Sequence, residues 1–238
     1  MTSQINFMDL KLTQATFEVR YDNSYFLWDR AGVIWTKITS LWPDLKIERI
    51  EPSITTFKLE NKYQLSVNLD KAYIVDLKPS SSLKEFMEKA NDFIRLISQT
   101  LEIINFTRIG FRLIYIKNFP DKYAAANSLL STKMMIAPEG RQFNIEGKAL
   151  LPKYSLVWEG DSSGARILLE VRDKKIDFEA HPAIEELNSI HIEKHELVYD
   201  VDYYALAKVS IGQLNIKEWL DQIYHLIKRD SKTFLGGS

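Results

Sequence analysis

Between Leu12 and Tyr21 the chain reads LTQATFEVRY, with apolar and polar positions alternating among β-formers. A period of two predicts a strand. Asp22-Asn23-Ser24 follow as a turn and a candidate helix cap. The period then changes. Leu27, Ala31, Ile34, Ile38 and Leu41 recur every three or four residues and form one stripe, and Trp28, Trp35 and Trp42 flank it at intervals of seven. The spacing predicts a helix whose broad apolar face needs a sheet to cover it, ended by Pro43. Residues 53–60, 63–70 and 72–77 predict three strands. The middle one is clearest, with Tyr63, Leu65, Val67 and Leu69 on one side and Gln64, Ser66, Asn68 and Asp70 on the other. Asn61-Lys62 and Asp70-Lys71 suit tight turns, so the set reads as an antiparallel meander.

Ser82-Leu83-Lys84-Glu85 matches a capping box. The helix it opens buries Leu83, Phe86, Met87, Ala90, Ile94, Ile97 and Leu101. A long strand is predicted from Asn105 to Lys117 and a short helix over 121–131. From Thr132 to Gly147 the pattern fades into an irregular stretch, where a mobile segment is expected. Strands resume over 150–159, 165–172, 175–180 and 194–208. Asn215-Ile216-Lys217-Glu218 opens a last helix that buries Ile216, Trp219, Leu220, Ile223, Ile227 and Phe234. Residues 236–238, Gly-Gly-Ser, read as a flexible tail.

This order predicts an α+β domain over residues 1–235, built from two β-α-β-β-β(β)-α units at about 12–103 and 104–235. Doubling such a unit gives a curved antiparallel sheet with long helices packed on one face. The topology resembles that of TATA-binding-protein and helix-grip folds, a likeness that carries no function. The sequences of the two halves barely repeat; FEVRYDN (17–23) and FRLIYIKN (111–118) make the best local echo.

Composition narrows the chemistry. The 238 residues carry a net charge of −1, so no global field draws the chain to nucleic acid or to an anionic membrane. There is no cysteine, which excludes disulfides, thiolate catalysis and thiolate metal sites and suits a reducing cytoplasm. MTSQINFMDLKL lacks the basic and apolar regions of a signal peptide. No apolar run approaches the roughly 18 residues that span a bilayer.

Three segments resemble a sporadically distributed family of prokaryotic proteins of about this length: FTRIGFRLIYIKNF (106–119), LVYDVDYY (197–204) and WLDQIYHLIKRDSKTFL (219–235). In that family a strand with an arginine–glycine–arginine pattern precedes an aspartate-rich strand, and a last helix ends in phenylalanine. The resemblance implies no particular reaction. It implies an accessory role, such as antiviral defence or a mobile-element function.

The candidate sites follow from these patterns. His191 and His195 stand four apart in HIEKHELVYDVD (191–202). On a helix they would share a face as metal ligands do; on the strand predicted here they lie about 13 Å apart. Asp200 and Asp202 share one face of that strand, and Arg108 and Arg112 share one face of theirs with Gly110 between them. Two readings arise. The charges pair across a sheet face, or Arg108 and Arg112 hold an anionic ligand that approaches the backbone at Gly110. Gly160-Asp161-Ser162-Ser163-Gly164 spells G-x-S-x-G, but predicted strands flank it where a hydrolase needs a strand-to-helix turn. The Trp row offers a stacking platform for single strands, yet only Arg30 and Lys37 accompany it.

The sequence therefore predicts a non-catalytic binding protein without cofactor, acting on a protein partner or on itself, with no membrane partner; the near-neutral charge argues against nucleic acid, which is left only as a weaker option through a local basic patch. The alternative is an enzyme or sensor for a phosphorylated or nucleotide-like ligand held by Arg108 and Arg112, with Asp200 or Asp202 as base or metal ligand.

Overall fold

The computed structural model describes residues 5–80, 82–132, 134, 149–178, 190–206 and 208–236. A 3-10 turn (Phe7–Asp9) leads into β1 (Lys11–Arg20), α1 (Phe26–Leu41), β2 (Lys46–Glu51), β3 (Ile54–Leu59), β4 (Tyr63–Asn68), β5 (Lys71–Asp76) and α2 (Lys84–Thr100). The second half runs β6 (Asn105–Phe106), β7 (Arg108–Phe119), α3 (Lys122–Leu130), β8 (Lys153–Glu159), β9 (Ser163–Phe178), β10 (Ile190–Ala205), β11 (Val209–Ser210) and α4 (Ile216–Gly236). Among the described residues nine strands form one antiparallel sheet in the order β2-β3-β4-β5-β1-β7-β10-β9-β8. The protein has the predicted α+β fold with a curved sheet. β1 and β7 pair with each other at the centre, Phe17 opposite Phe111. Each half-sheet extends outward from that seam.

Directly opposed residues of an antiparallel sheet lie on the same face, so the register separates the faces. One row runs Phe57, Leu65, Ile74, Phe17, Phe111, Tyr203. All three long helices pack on that face: Trp35 of α1 stacks on Phe57 with centroids 6.1 Å apart, Phe86 of α2 on Phe111 at 6.1 Å, and Trp219 of α4 lies 5.9 Å from Phe17. Each fully buried phenylalanine contributes about 2–3 kcal/mol, and Phe17, Phe57, Phe86, Phe93, Phe106 and Phe111 are all fully buried. The residues one step along each strand face the other way, and there the charged groups collect.

The helical stripes are seen with local corrections. Leu27, Ile34 and Ile38 of α1 are buried, but Leu41 is exposed and Trp28 is 57% exposed. The capping box before α2 does not form. Leu83, at φ 52°, occupies the cap position without a side-chain bond, and Glu85 reaches Lys62 at 2.8 Å instead of turning back. The cap before α4 is made, with Asn215 Oδ1 accepting from the Glu218 backbone N–H at 3.4 Å.

Three strand expectations are corrected. β2 has no counterpart among the predicted strands. All six of its residues are exposed, and a register shift interrupts its pairing between Ile47 and Arg49, so it carries no burial alternation to read. The strand expected over 105–117 breaks at Thr107, whose N–H donates to Arg20 at 2.8 Å, and β6 pairs with β11 in a separate ribbon. The two strands expected over 165–172 and 175–180 are one. Arg172-Asp173-Lys174-Lys175 looks like a turn, but cross-strand pairs Lys174–Glu196 at 2.8 Å and Lys175–Glu193 at 3.0 Å carry the hairpin through it. Of the irregular stretch expected over 132–147, only Thr132 and Met134 lie within the described residues; of the connection expected over 181–193, residues 181–189 lie outside them and the last four belong to β10, which starts at Ile190. Gly236 closes α4; the last two tail residues also lie outside.

Candidate functional site

The arginine–glycine–arginine strand and the aspartate-rich strand are neighbours. β7 and β10 pair antiparallel, with Arg112 opposite Asp202, Gly110 opposite Tyr204 and Ile114 opposite Asp200. All four predicted residues lie on the face away from the long helices. Arg112 grips Asp200 with both prongs, Nε to Oδ1 at 2.8 Å and Nη2 to Oδ2 at 2.5 Å. Arg108 bridges two strands, donating to Glu18 of β1 at 3.0 Å and to Asp202 of β10 at 2.9 Å. Its guanidinium also sits 4.7 Å from the centre of the Tyr204 ring. Glu18 accepts in addition from Arg20 at 2.8 Å.

Gly110 lets this happen. A Cβ at that position would stand 2.7 Å from Arg108 Nη1. What approaches the backbone at Gly110 is thus the neighbouring guanidinium. Gly164, on β9, has the same role, since a Cβ there would stand 2.6 Å from the Tyr204 ring. Tyr204 lies across both glycines in register and donates its hydroxyl to Glu159 at 2.9 Å.

The side chain of Asp200 is 2% exposed and that of Asp202 20%. Burial raises the Asp202 carboxyl above its ordinary value, against the pull of Arg108, Arg166 and Arg112. The bidentate bond to Asp200 holds Arg112 firmly protonated, above its ordinary value. Chemically the strip is a chain of satisfied ion pairs, in which both central guanidinium groups are bound to carboxylates of this chain.

The remaining predicted positions are dispersed. His195 is on β10, and its Nδ1 lies 2.9 Å from Asp173 Oδ1. The His191 side chain lies outside the described residues, but its backbone is extended opposite Asp177. The two histidines are on one strand, not on a helix face, and no group of three or more potential metal ligands occurs among the described residues. The G-x-S-x-G letters form the β8–β9 hairpin, closed by Gly160 N–H donating to Ser163 O at 2.9 Å. No helix starts there, so the serine lacks the strained elbow and the helix N-terminus that hydrolases use.

Two features were not legible in the sequence. At the start of α1, Tyr25, Phe26 and Trp28 are 56, 42 and 57% exposed, and Ile104, after α2, is 73% exposed. They surround a depression of about 580 Å³ whose other walls include Tyr21, Asn23 and Ile103. Tyr25 and Trp28 meet edge to face at 5.1 Å. Asp22, Asp29 and Glu102 stand on the rim, with Glu102 paired to Arg30 at 2.6 Å. The Trp row was the nearest signal, but Trp28 and Trp35 share its spacing and only the fold separates the exposed Trp28 from Trp35, stacked on Phe57. The second feature is an apolar groove of about 460 Å³ between α4 and β8–β10, walled by Trp158, Ile167, Tyr199, Val201, Tyr203 and Phe234. Tyr199 closes its floor by donating to Ser231 Oγ at 2.8 Å.

The chain matches no known protein-family profile and no curated protein sequence. Among the described residues no helix is long and apolar enough to cross a membrane.

Proposed function

We propose that the protein is a non-catalytic binding module that docks another protein on the aromatic patch at the start of α1. The observation that carries this reading is the exposure of Tyr25, Phe26, Trp28 and Ile104 around one concavity. Four large apolar side chains left in water together cost solvation that a partner would recover, and aromatic anchors of this kind dominate interface energetics. The rim is acidic at Asp22 and Asp29. The matching partner surface presents an apolar side chain flanked by lysine or arginine. An accessory role in prokaryotic defence or mobile-element function, which the sequence resemblance implies, suits a module of this sort.

The anion-binding alternative draws less support from the geometry. A phosphate at Arg108 and Arg112 would have to displace Asp200, Asp202 and Glu18, each already hydrogen-bonded to a guanidinium. Breaking such pairs leaves carboxylates buried without a counter-charge.

The experiment compares wild type with a Phe26→Ala/Trp28→Ala variant as baits, in lysate and then against each purified partner by calorimetry at two ionic strengths. The expected result is a partner bound by wild type alone, with an affinity that falls as salt rises. Partners bound equally by both baits would rule out the patch as the docking surface.

A further inference from the structure

The sheet has two outer strands, β2 and β8, and they are built differently. β2 carries Lys46, Glu48, Arg49 and Glu51 and is bulged between Ile47 and Arg49, devices that keep an edge from pairing. β8 has neither. Its sequence is KYSLVWE, it pairs with β9 in unbroken register from Lys153 to Glu159, and Val157 and Trp158 are 52 and 45% exposed. Among the described residues nothing pairs with its outer side.

From the geometry we infer that β8 is the interface of a two-fold dimer, in which the β8 strands of two copies pair antiparallel about Leu156. The backbone parity supports this. Gly160 N–H bonds to Ser163 O and Val171 N–H to Pro152 O, so the even-numbered residues of β8 face β9. Lys153, Ser155, Val157 and Glu159 therefore direct their N–H and C=O groups outward. A two-fold axis at Leu156 sets Lys153 opposite the second copy's Glu159, and Ser155 opposite its Val157. These pairs join outward-facing residues, and each exchanges two N–H···O bonds, while the even-numbered residues between them form the non-hydrogen-bonded pairs. An axis one half-step away would oppose outward residues to inward ones and form none.

The side chains agree with the same register. Lysine meets glutamate at both ends of the paired segment. Tyr154 falls opposite the second copy's Trp158, and both already pack on Phe234, at 6.4 and 5.8 Å. The dimer thus closes the open side of the α4 groove with a two-fold aromatic cluster. Leu156 meets its own counterpart at the axis. An isologous contact is self-limiting, so an unprotected edge ends in a dimer and not in a fibre. This interface is distinct from the aromatic patch and does not depend on it.

The test exploits the absence of cysteine. Leu156→Cys places one thiol per chain at the axis, in a non-hydrogen-bonded pair whose Cα separation of about 4.5 Å suits a disulfide. Mild oxidation is expected to give a covalent dimer, while Ile50→Cys on the β2 edge stays monomeric. Val157→Pro removes an outward N–H and leaves the β9 ladder intact; sedimentation should show its dimer dissociating at roughly tenfold higher concentration. Lys153→Glu should weaken association and Lys153→Glu/Glu159→Lys restore it. A wild type monomeric at high micromolar concentration, or a Leu156→Cys protein that cross-links no faster than Ile50→Cys, would overturn the dimer. The aromatic-patch reading would survive that result, since its variants lie on α1.

Discussion

Arg108 Nη1 lies where a Cβ on Gly110 would come within 2.7 Å of it. The glycine is therefore fixed by its neighbour's side chain, and Gly110→Ala must push the guanidinium off Glu18 or Asp202. We expect a loss of about 1–3 kcal/mol, measured by urea denaturation. In an Arg108→Ala background the same substitution should cost much less, and a double-mutant cycle reads the difference. Gly164→Ala is expected to behave alike, with Tyr204→Ala as its relieving partner.

Arg108→Ala removes the shared partner of Glu18 and Asp202, whose side chains are 21 and 20% exposed. Partial solvation softens the penalty of a fully buried pair, so a loss of about 2–3 kcal/mol is expected. Addition of phosphate or nucleotides should leave the melting temperature of the wild type unchanged if pairing is the whole role of the strip. A saturable rise would revive the anion site.

Asp76 is buried on the helix side of β5, where its Oδ1 accepts from the Lys78 backbone N–H at 2.8 Å and its Oδ2 lies 3.9 Å from Lys62 Nζ. Burial raises its carboxyl above the ordinary value, against the Lys78 N–H and the Lys62 charge. The folded state then holds the proton to higher pH than the unfolded chain does. The stability associated with this group is full below the unfolded pKa and is lost as pH rises through the folded one. Asp76→Asn keeps the acceptor and abolishes the titration. Relative to wild type it should gain stability at pH 7, and the gain should vanish in acid; denaturation at both pH values checks it.

Trp28→Ala should change stability by no more than about 0.5 kcal/mol, because the residue is 57% exposed. Trp35→Ala, which unstacks from the fully buried Phe57, should cost about 2–4 kcal/mol. Thermal denaturation of the two variants separates a surface anchor from a core residue within one heptad row.

Local patterning was enough for the helices, because one buried stripe is written every three or four residues. Ile94 and Ile97 in α2 and Leu220, Ile223 and Ile227 in α4 are buried as their spacing predicts. It failed where burial does not alternate. β2 is exposed throughout, and the middle of the β9–β10 hairpin is held by Lys–Glu pairs that resemble a turn.

What the chain alone determined was the alternation of strands and helices apart from β2 and the unbroken β9, the extended state of most of β7 and β10, and the sharing of a face by each arginine pair and each aspartate pair. Residue periodicity encodes these, since it reports each segment's own exposure. Which carboxylate meets which guanidinium was decided only in the tertiary structure. Glu18 lies 90 residues from Arg108 in sequence, and Asp202 lies 94 from it. Their meeting depends on the register of β1, β7 and β10, which is set by Phe17, Phe111 and Tyr203 aligning beneath the helices on the opposite face.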